Sequence, residues 1–179
     1  MGLFHAFFKD KHVVVLSLKV KREVSLLVKR PYSKNTMPHQ RRRHLQSLIE
    51  KTMRFSPITG ILGHRQVGKT TLASLLSEHY VTMDIASELS NASADPMVFL
   101  AKHSAKPLTI DECQLSPALF PALKEWVRLH KKPGQFLLTG SVRFSSRKMI
   151  RESLTGRIIN WELLPMDWAE QNNQPLENT

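Results

Sequence analysis

One segment constrains this chain more than any other: Gly63-His64-Arg65-Gln66-Val67-Gly68-Lys69-Thr70. It matches the pattern G-x-x-x-x-G-K-[ST] in full, and such a loop requires a strand before it and a helix after it. Both flanks fit. Residues 57–62 form a short apolar run suited to a buried strand, and residues 70–80 place Leu72, Leu75 and Leu76 on the buried side of a helix. Gly63 and Gly68 let the backbone bend tightly and approach an anion with no Cβ in the way. The backbone N–H groups of His64, Arg65, Gln66 and Val67 then converge on a helix N-terminus, a ready anion site. Lys69 supplies a point charge to β- and γ-phosphates, the Thr70 hydroxyl is a magnesium ligand, and Thr71 is a weaker candidate for the α-phosphate. The implied ligand is a nucleoside triphosphate with Mg2+.

A second motif supports the first. Residues 107–110 form an apolar strand ending in Asp111 and Glu112. In a parallel sheet, ligands bind outside the carboxyl ends of the strands, where these acids would lie. Asp111 suits magnesium held through its water shell, and Glu112 suits a general base that takes a proton from attacking water. The separation from the loop, about 40 residues, leaves room for a strand between the two motifs, expected over 81–85. A third apolar strand, 135–139, ends in hydroxyls; Thr139 is the candidate sensor of a γ-phosphate, with Ser141 in reserve. Arg157 is a candidate arginine finger acting on a neighbouring subunit. Asp84 reads as structural, the eight histidines show no metal-ligand spacing, and Trp126, Trp161 and Trp168 read as core.

Helices are expected over 39–53, 95–103, 117–130 and 145–155, with Asp95 capping the second and Pro96 at its first position. A last strand is expected over 157–164, closed by Pro165. Strands alternating with helices predict an α/β fold: a mostly parallel five-stranded sheet with helices on both faces.

Charge divides the chain. Residues 1–54 hold 13 Lys and Arg against 3 acids, while residues 55–179 hold 13 against 12. The formal charge of +11 therefore belongs almost wholly to residues 1–54, and the body is near neutral. A basic arm of this kind either stands in solvent or binds DNA, RNA or an anionic membrane. Arg41, Arg42 and Arg43 crowd the first turn of the 39–53 helix, where the helix dipole disfavours cations. They read as a charged end in water, or as a phosphate-contacting patch. The domain reading is a basic leader over 1–36, a P-loop domain over 37–170 and a polar tail over 171–179, with Met37 an alternative first residue. No apolar run approaches the roughly 18 residues of a membrane helix. No export signal is evident and Cys113 is the single cysteine, which points to a reducing, cytoplasmic setting.

The loop continued through Thr71 and Leu72, with Ile110-Asp111-Glu112-Cys113-Gln114, Leu137-Leu138-Thr139-Gly140-Ser141 and Ser153-Leu154-Thr155-Gly156-Arg157, resembles one group of prokaryotic AAA-type P-loop ATPases over roughly residues 37–170. His64 stands where that group usually has proline. The resemblance implies an ASCE/AAA-type fold, ATP rather than GTP as ligand, Mg2+ as cofactor and hydrolysis. It also implies a homo-oligomer, or a further C-terminal domain absent from this chain as the partner of the nucleotide-binding part. The alternatives are a truncated, non-catalytic nucleotide-binding module and a nucleic-acid-associated module that uses the basic leader.

Overall fold

The computed structural model describes residues 41–103, 107–141, 150 and 152–175. The leader, Met37 and the last four residues of the tail lie outside them. So do residues 145–149 and 151 of the helix expected over 145–155, of which Ile150 and residues 152–154 are helical.

The elements run in the order α1 (Leu45–Met53), β1 (Ile58–Gly63), α2 (Lys69–Leu76), β2 (His79–Thr82), α3 (Ala86–Ala94), α4 (Pro96–Lys102), β3 (Leu108–Asp111), a 3-10 turn (Cys113–Leu115), α5 (Leu119–Leu129), β4 (Phe136–Ser141), β5 (Ile158–Glu162) and α6 (Trp168–Gln171). The strands form one five-stranded sheet in the order β2-β3-β4-β1-β5, with every pairing parallel. The three central strands are the most continuously apolar, since both of their faces are covered: β1 and β3 are buried at every residue, and β4 at all but Ser141. Strands β2 and β5 lie at the edges and are partly exposed.

Alternation along the strands divides the core. Ile58 and Leu62 of β1 face one side, packed with Phe99 and Leu100 of α4 and Phe120 and Leu123 of α5. Ile61 faces the other, with Ile49 of α1 and Leu72 and Ala73 of α2. The loop helix α2 therefore covers the face onto which odd-numbered residues of β1, β3 and β4 project. Asp95 caps α4 as expected, with Oδ1 accepting from the Val98 N–H at 3.0 Å. No described helix is long and apolar enough to cross a membrane.

Three expectations need correction. Helix α2 stops at Leu76, and β2 begins at His79 rather than at residue 81. The break is Ser77, which is extended (φ −139°) and donates its hydroxyl to the Pro107 carbonyl at 2.5 Å, tying this corner to the start of β3. Helix α3 was not expected; only its Ala92 is buried, so no apolar stripe marks it. Trp168 is 73% exposed rather than core, whereas Trp126 and Trp161 are half-buried.

Candidate functional site

The phosphate-loop segment leaves the C-terminal end of β1. A Cβ on Gly63 would stand 2.5 Å from the Leu163 carbonyl oxygen and 3.1 Å from Val67 Cγ2, so only glycine lets the loop fold back against the chain that follows β5. Gln66 (φ 66°) and Gly68 (φ 94°) turn the backbone through the left-handed region. This is effortless for glycine and costs about 1–2 kcal/mol for other residues. Helix α2 begins at once, with the Leu72 N–H bonded to the Gly68 carbonyl at 2.9 Å. His64, Arg65 and Gln66 are exposed at the mouth, while Val67, Gly68, Thr70 and Thr71 are half-buried. Lys69 is 5% exposed, and its Nζ donates to the His64 carbonyl at 2.8 Å, closing the loop on itself.

Strand β4 stands between β1 and β3, so the strand separating the two motifs in space is the one bearing Thr139. The strand between them in sequence, β2, lies at the edge. Register and alternation bring four side chains to one point. Asp111 Oδ2 accepts from Thr70 Oγ1 at 2.7 Å and from Tyr80 Oη at 2.5 Å. Asp111 Oδ1 accepts from Thr139 Oγ1 and from the Glu112 N–H at 3.1 Å. Asp111 is 3% exposed, so its carboxylate is held by three hydroxyls and one amide. Tyr80 was missed because a helix was expected to run through it. Read instead as a strand residue, it shares the face of Thr109 and Asp111, since Tyr80 pairs with Thr109. Burial first, and then the bond to Asp111, push its hydroxyl above the usual tyrosine range, so it stays a donor. Among the described residues no group of three His, Cys, Asp or Glu side chains is placed to hold a metal ion. The pairing of Thr70 and Asp111 does suit magnesium, which takes hard oxygen ligands and completes its shell with water and phosphate oxygens.

Glu112 follows in a left-handed conformation (φ 50°, ψ 40°), which ends β3 and turns its side chain out of the strand's alternation. Gln114 Nε2 donates to Glu112 Oε2 and to Ser141 Oγ, the latter at 3.3 Å. Its Oε1 lies over Gly140, where a Cβ would stand 2.5 Å away. Gln114 and Gly140 are thus neighbours of the acid that sequence reasoning did not single out. Cys113 is fully buried, and burial, reinforced by the charges of Asp111 and Glu112, pushes its thiol up to about 12, which leaves it inert. Asp84 is exposed beyond β2. Arg157 is not brought to this cluster. It precedes Ile158, which pairs with Ile58 at the start of β1, and its Nη1 donates to the Thr155 carbonyl at 3.2 Å. It therefore lies at the opposite edge of the sheet, about 17 Å along the strands from the loop.

The back of the loop holds a correction. Arg43 is 6% exposed and neither stands in water nor begins a helix, which starts at Leu45. Its Nη1 donates to the Val67 carbonyl at 2.7 Å, Nη2 to the Leu164 carbonyl at 2.6 Å and Nε to Glu170 Oε2 at 3.0 Å. The other Glu170 oxygen accepts from the His44 N–H at 2.7 Å. Arg41 and Arg42 remain beside surface cavities.

Residues 55–172 match the model of a family described as AAA domain. The chain is 35% identical over 120 residues to the uncharacterized proteins Mb2031c of Mycobacterium bovis and Rv2008c of Mycobacterium tuberculosis, a match covering 65% of this chain and 27% of theirs. It thus spans about a quarter of the length of these relatives. Among solved structures, Saccharomyces cerevisiae RIF2 aligns over 79% of this chain and 60% of its own, at 10% identity and a TM-score of 0.44, too distant a likeness to inform function.

Proposed function

The chain belongs to the AAA-domain family, whose members are of nucleotide-binding, ATPase type, and on that premise we propose that it binds ATP with magnesium and hydrolyses it. The observation that carries this reading is the 2.7 Å bond from Thr70 Oγ1 to Asp111 Oδ2. It joins the last residue of the phosphate loop to the carboxylate at the end of β3, and together they form the donor set a nucleotide-bound magnesium needs. The loop amides from Gly63 to Gly68, with the N-terminal end of α2, bind the phosphates. Lys69 would exchange the His64 carbonyl for β- and γ-phosphate oxygens, and Thr71 would contact the α-phosphate. Thr70 and Asp111 would hold the metal, which would neutralise charge on the phosphates. Tyr80 and Thr139 orient Asp111. Glu112 takes the proton of the attacking water, the role of a positioned general base. Its left-handed backbone fits a site held in a set geometry, as strained residues at active sites do. Arg157, at the far edge of the sheet, can serve a site only on a neighbouring subunit. The choice of ATP over GTP rests on the family resemblance alone.

The test is ATP binding and turnover with magnesium in the parent, Lys69→Ala and Glu112→Gln. The expected result is turnover lost in both variants, with ATP still held by Glu112→Gln. Binding without turnover in the parent would reduce the function to a nucleotide-binding module.

A further inference from the structure

The mouth of the loop accounts for the letters of the motif, but a buried arginine behind it is absorbed by neither the motif nor the proposed chemistry. We propose that Arg43 is a positioning residue for nucleotide binding: by holding the Val67 carbonyl on the outer side of the loop it aims the Gly68 amide inward at the phosphates, and Glu170 of α6 holds Arg43 in that pose. The inference rests on reading the loop as a phosphate site.

The geometric step comes from the peptide bond. A trans peptide is planar, and its C=O and N–H point in opposite directions. With the Val67 carbonyl fixed on Arg43 Nη1 at 2.7 Å, the Gly68 N–H points away from Arg43. Gly68 sits at φ 94° and has no side chain with which to steer its own backbone. The restraint has to come from outside, and the guanidinium is suited to give it. Its donors lie in one rigid plane, so fixing two of them fixes the third. Here Nη2 is fixed by the Leu164 carbonyl and Nε by Glu170, on segments 121 and 127 positions away. A lysine offers a point charge with rotating donors and cannot hold all three directions at once.

Charge attraction is the lesser part of the role. The Arg43 cation is paired at 3.0 Å with a carboxylate that is itself 94% buried, so little net charge is left to draw phosphate. What remains is orientation. Because Glu170 also accepts the His44 N–H and lies on the last described helix, the loop's alignment is coupled to the chain that follows β5. Whatever displaces α6 loosens the loop, and bound phosphate tightens α6 in return, because coupling between sites is reciprocal.

The experiment measures affinity for MgATP and for inorganic tripolyphosphate in the full chain, at a temperature where circular dichroism shows each variant folded. The variants are Arg43→Met, Arg43→Lys and Lys69→Ala. Arg43→Met should weaken both ligands equally, by about tenfold or more, the worth of one misdirected hydrogen bond to a charged group. Arg43→Lys should recover little of the loss. Should Arg43→Met not fold, Arg43→Lys carries the test, with the same weakening expected. A folded Arg43 variant that binds both ligands as the parent does, while Lys69→Ala abolishes binding, would overturn the positioning role and leave the proposed function standing. Parent-like binding in Lys69→Ala would overturn both.

Discussion

The mouth of the phosphate loop takes most of its groups from consecutive residues, Gly63 to Thr70, completed by Asp111 and Thr139 one strand apart. Its back is held by Arg43, Leu164 and Glu170, with 121 and 127 positions between donor and acceptors. The mouth is half open, with three of its residues exposed, whereas Arg43 and Glu170 are each about 5% exposed. The two regions carry opposite energetic loads. The mouth holds Gln66 and Gly68 in left-handed backbone and, in the function proposed above, offers its amides to phosphate. The back is already satisfied and supplies rigidity. As a proposed phosphate site, the loop thus combines an open part with a part fixed by buried partners.

The sharpest way to break this division is to remove the acid behind the loop. Glu170→Ala leaves the Arg43 guanidinium buried without its carboxylate, and stranding one partner of a buried ion pair costs about 3–5 kcal/mol. Urea unfolding should show that loss. A change under about 1 kcal/mol would mean that water reaches Arg43 and that the back is no more than surface.

The seam where mouth meets back is Gly63. Its missing Cβ leaves room for the Leu163 carbonyl, a backbone atom that cannot step aside cheaply. Gly63→Ala is expected to cost about 1–3 kcal/mol as an overpacked position, and to lose nucleotide binding along with it. Full stability with lost binding would place Gly63 with the mouth alone.

A smaller effect is expected at Gly140, on the side of Glu112. There an added Cβ meets Gln114 Oε1, the far end of a flexible side chain, at 2.5 Å. Stability should hardly change, but Gln114 would shift and release Glu112. Turnover should fall about tenfold, or about 1.4 kcal/mol in the barrier, with ATP affinity kept. Equal loss of affinity would mean that the disturbance spreads to the loop.

The same division explains what could be read in advance. The loop, the acidic pair and the alternation of strands and helices are local patterns, and the all-parallel sheet follows from them. What escaped was set by distant partners. Nothing in three successive arginines tells which one will be buried, because the acceptors that bury Arg43 lie in another part of the chain. Tyr80 was assigned to a helix because no glycine or proline marks its end; the stop comes from Ser77 bonding to Pro107, 30 positions away. Trp168 looked like core by composition, yet α6 is seated through Glu170 and leaves the indole in solvent. Asp111 was legible as a strand-end acid and Thr70 and Thr139 as residues of the same site, but its bond from Tyr80 required knowing that Tyr80 lies on β2, beside β3.

Cys113 sharpens the comparison within the mouth itself, because it follows Asp111 and Glu112 directly and yet belongs to the core. Its thiol, with an ordinary value of 9.0, is pushed up to about 12 in the fold, chiefly by burial. The sign is fixed by linkage: above pH 9 the unfolded chain gives up this proton while the folded chain keeps it, so stability is complete below 9 and falls as pH rises toward 12. At pH 9.5 the loss from this group is about 0.8 kcal/mol relative to neutral pH. Tyr80 is raised for the same reason and adds its loss only above its own ordinary value of 10.0. Cys113→Ala should therefore remove most of the decline between pH 8.5 and 9.5 (~0.7 kcal/mol) in denaturant titrations, whatever it costs at neutral pH by leaving a cavity. If the variant declines as steeply as the parent, the thiol titrates alike in both states, and Cys113 shares the half-open environment of Glu112 rather than the closed one of the strand beneath.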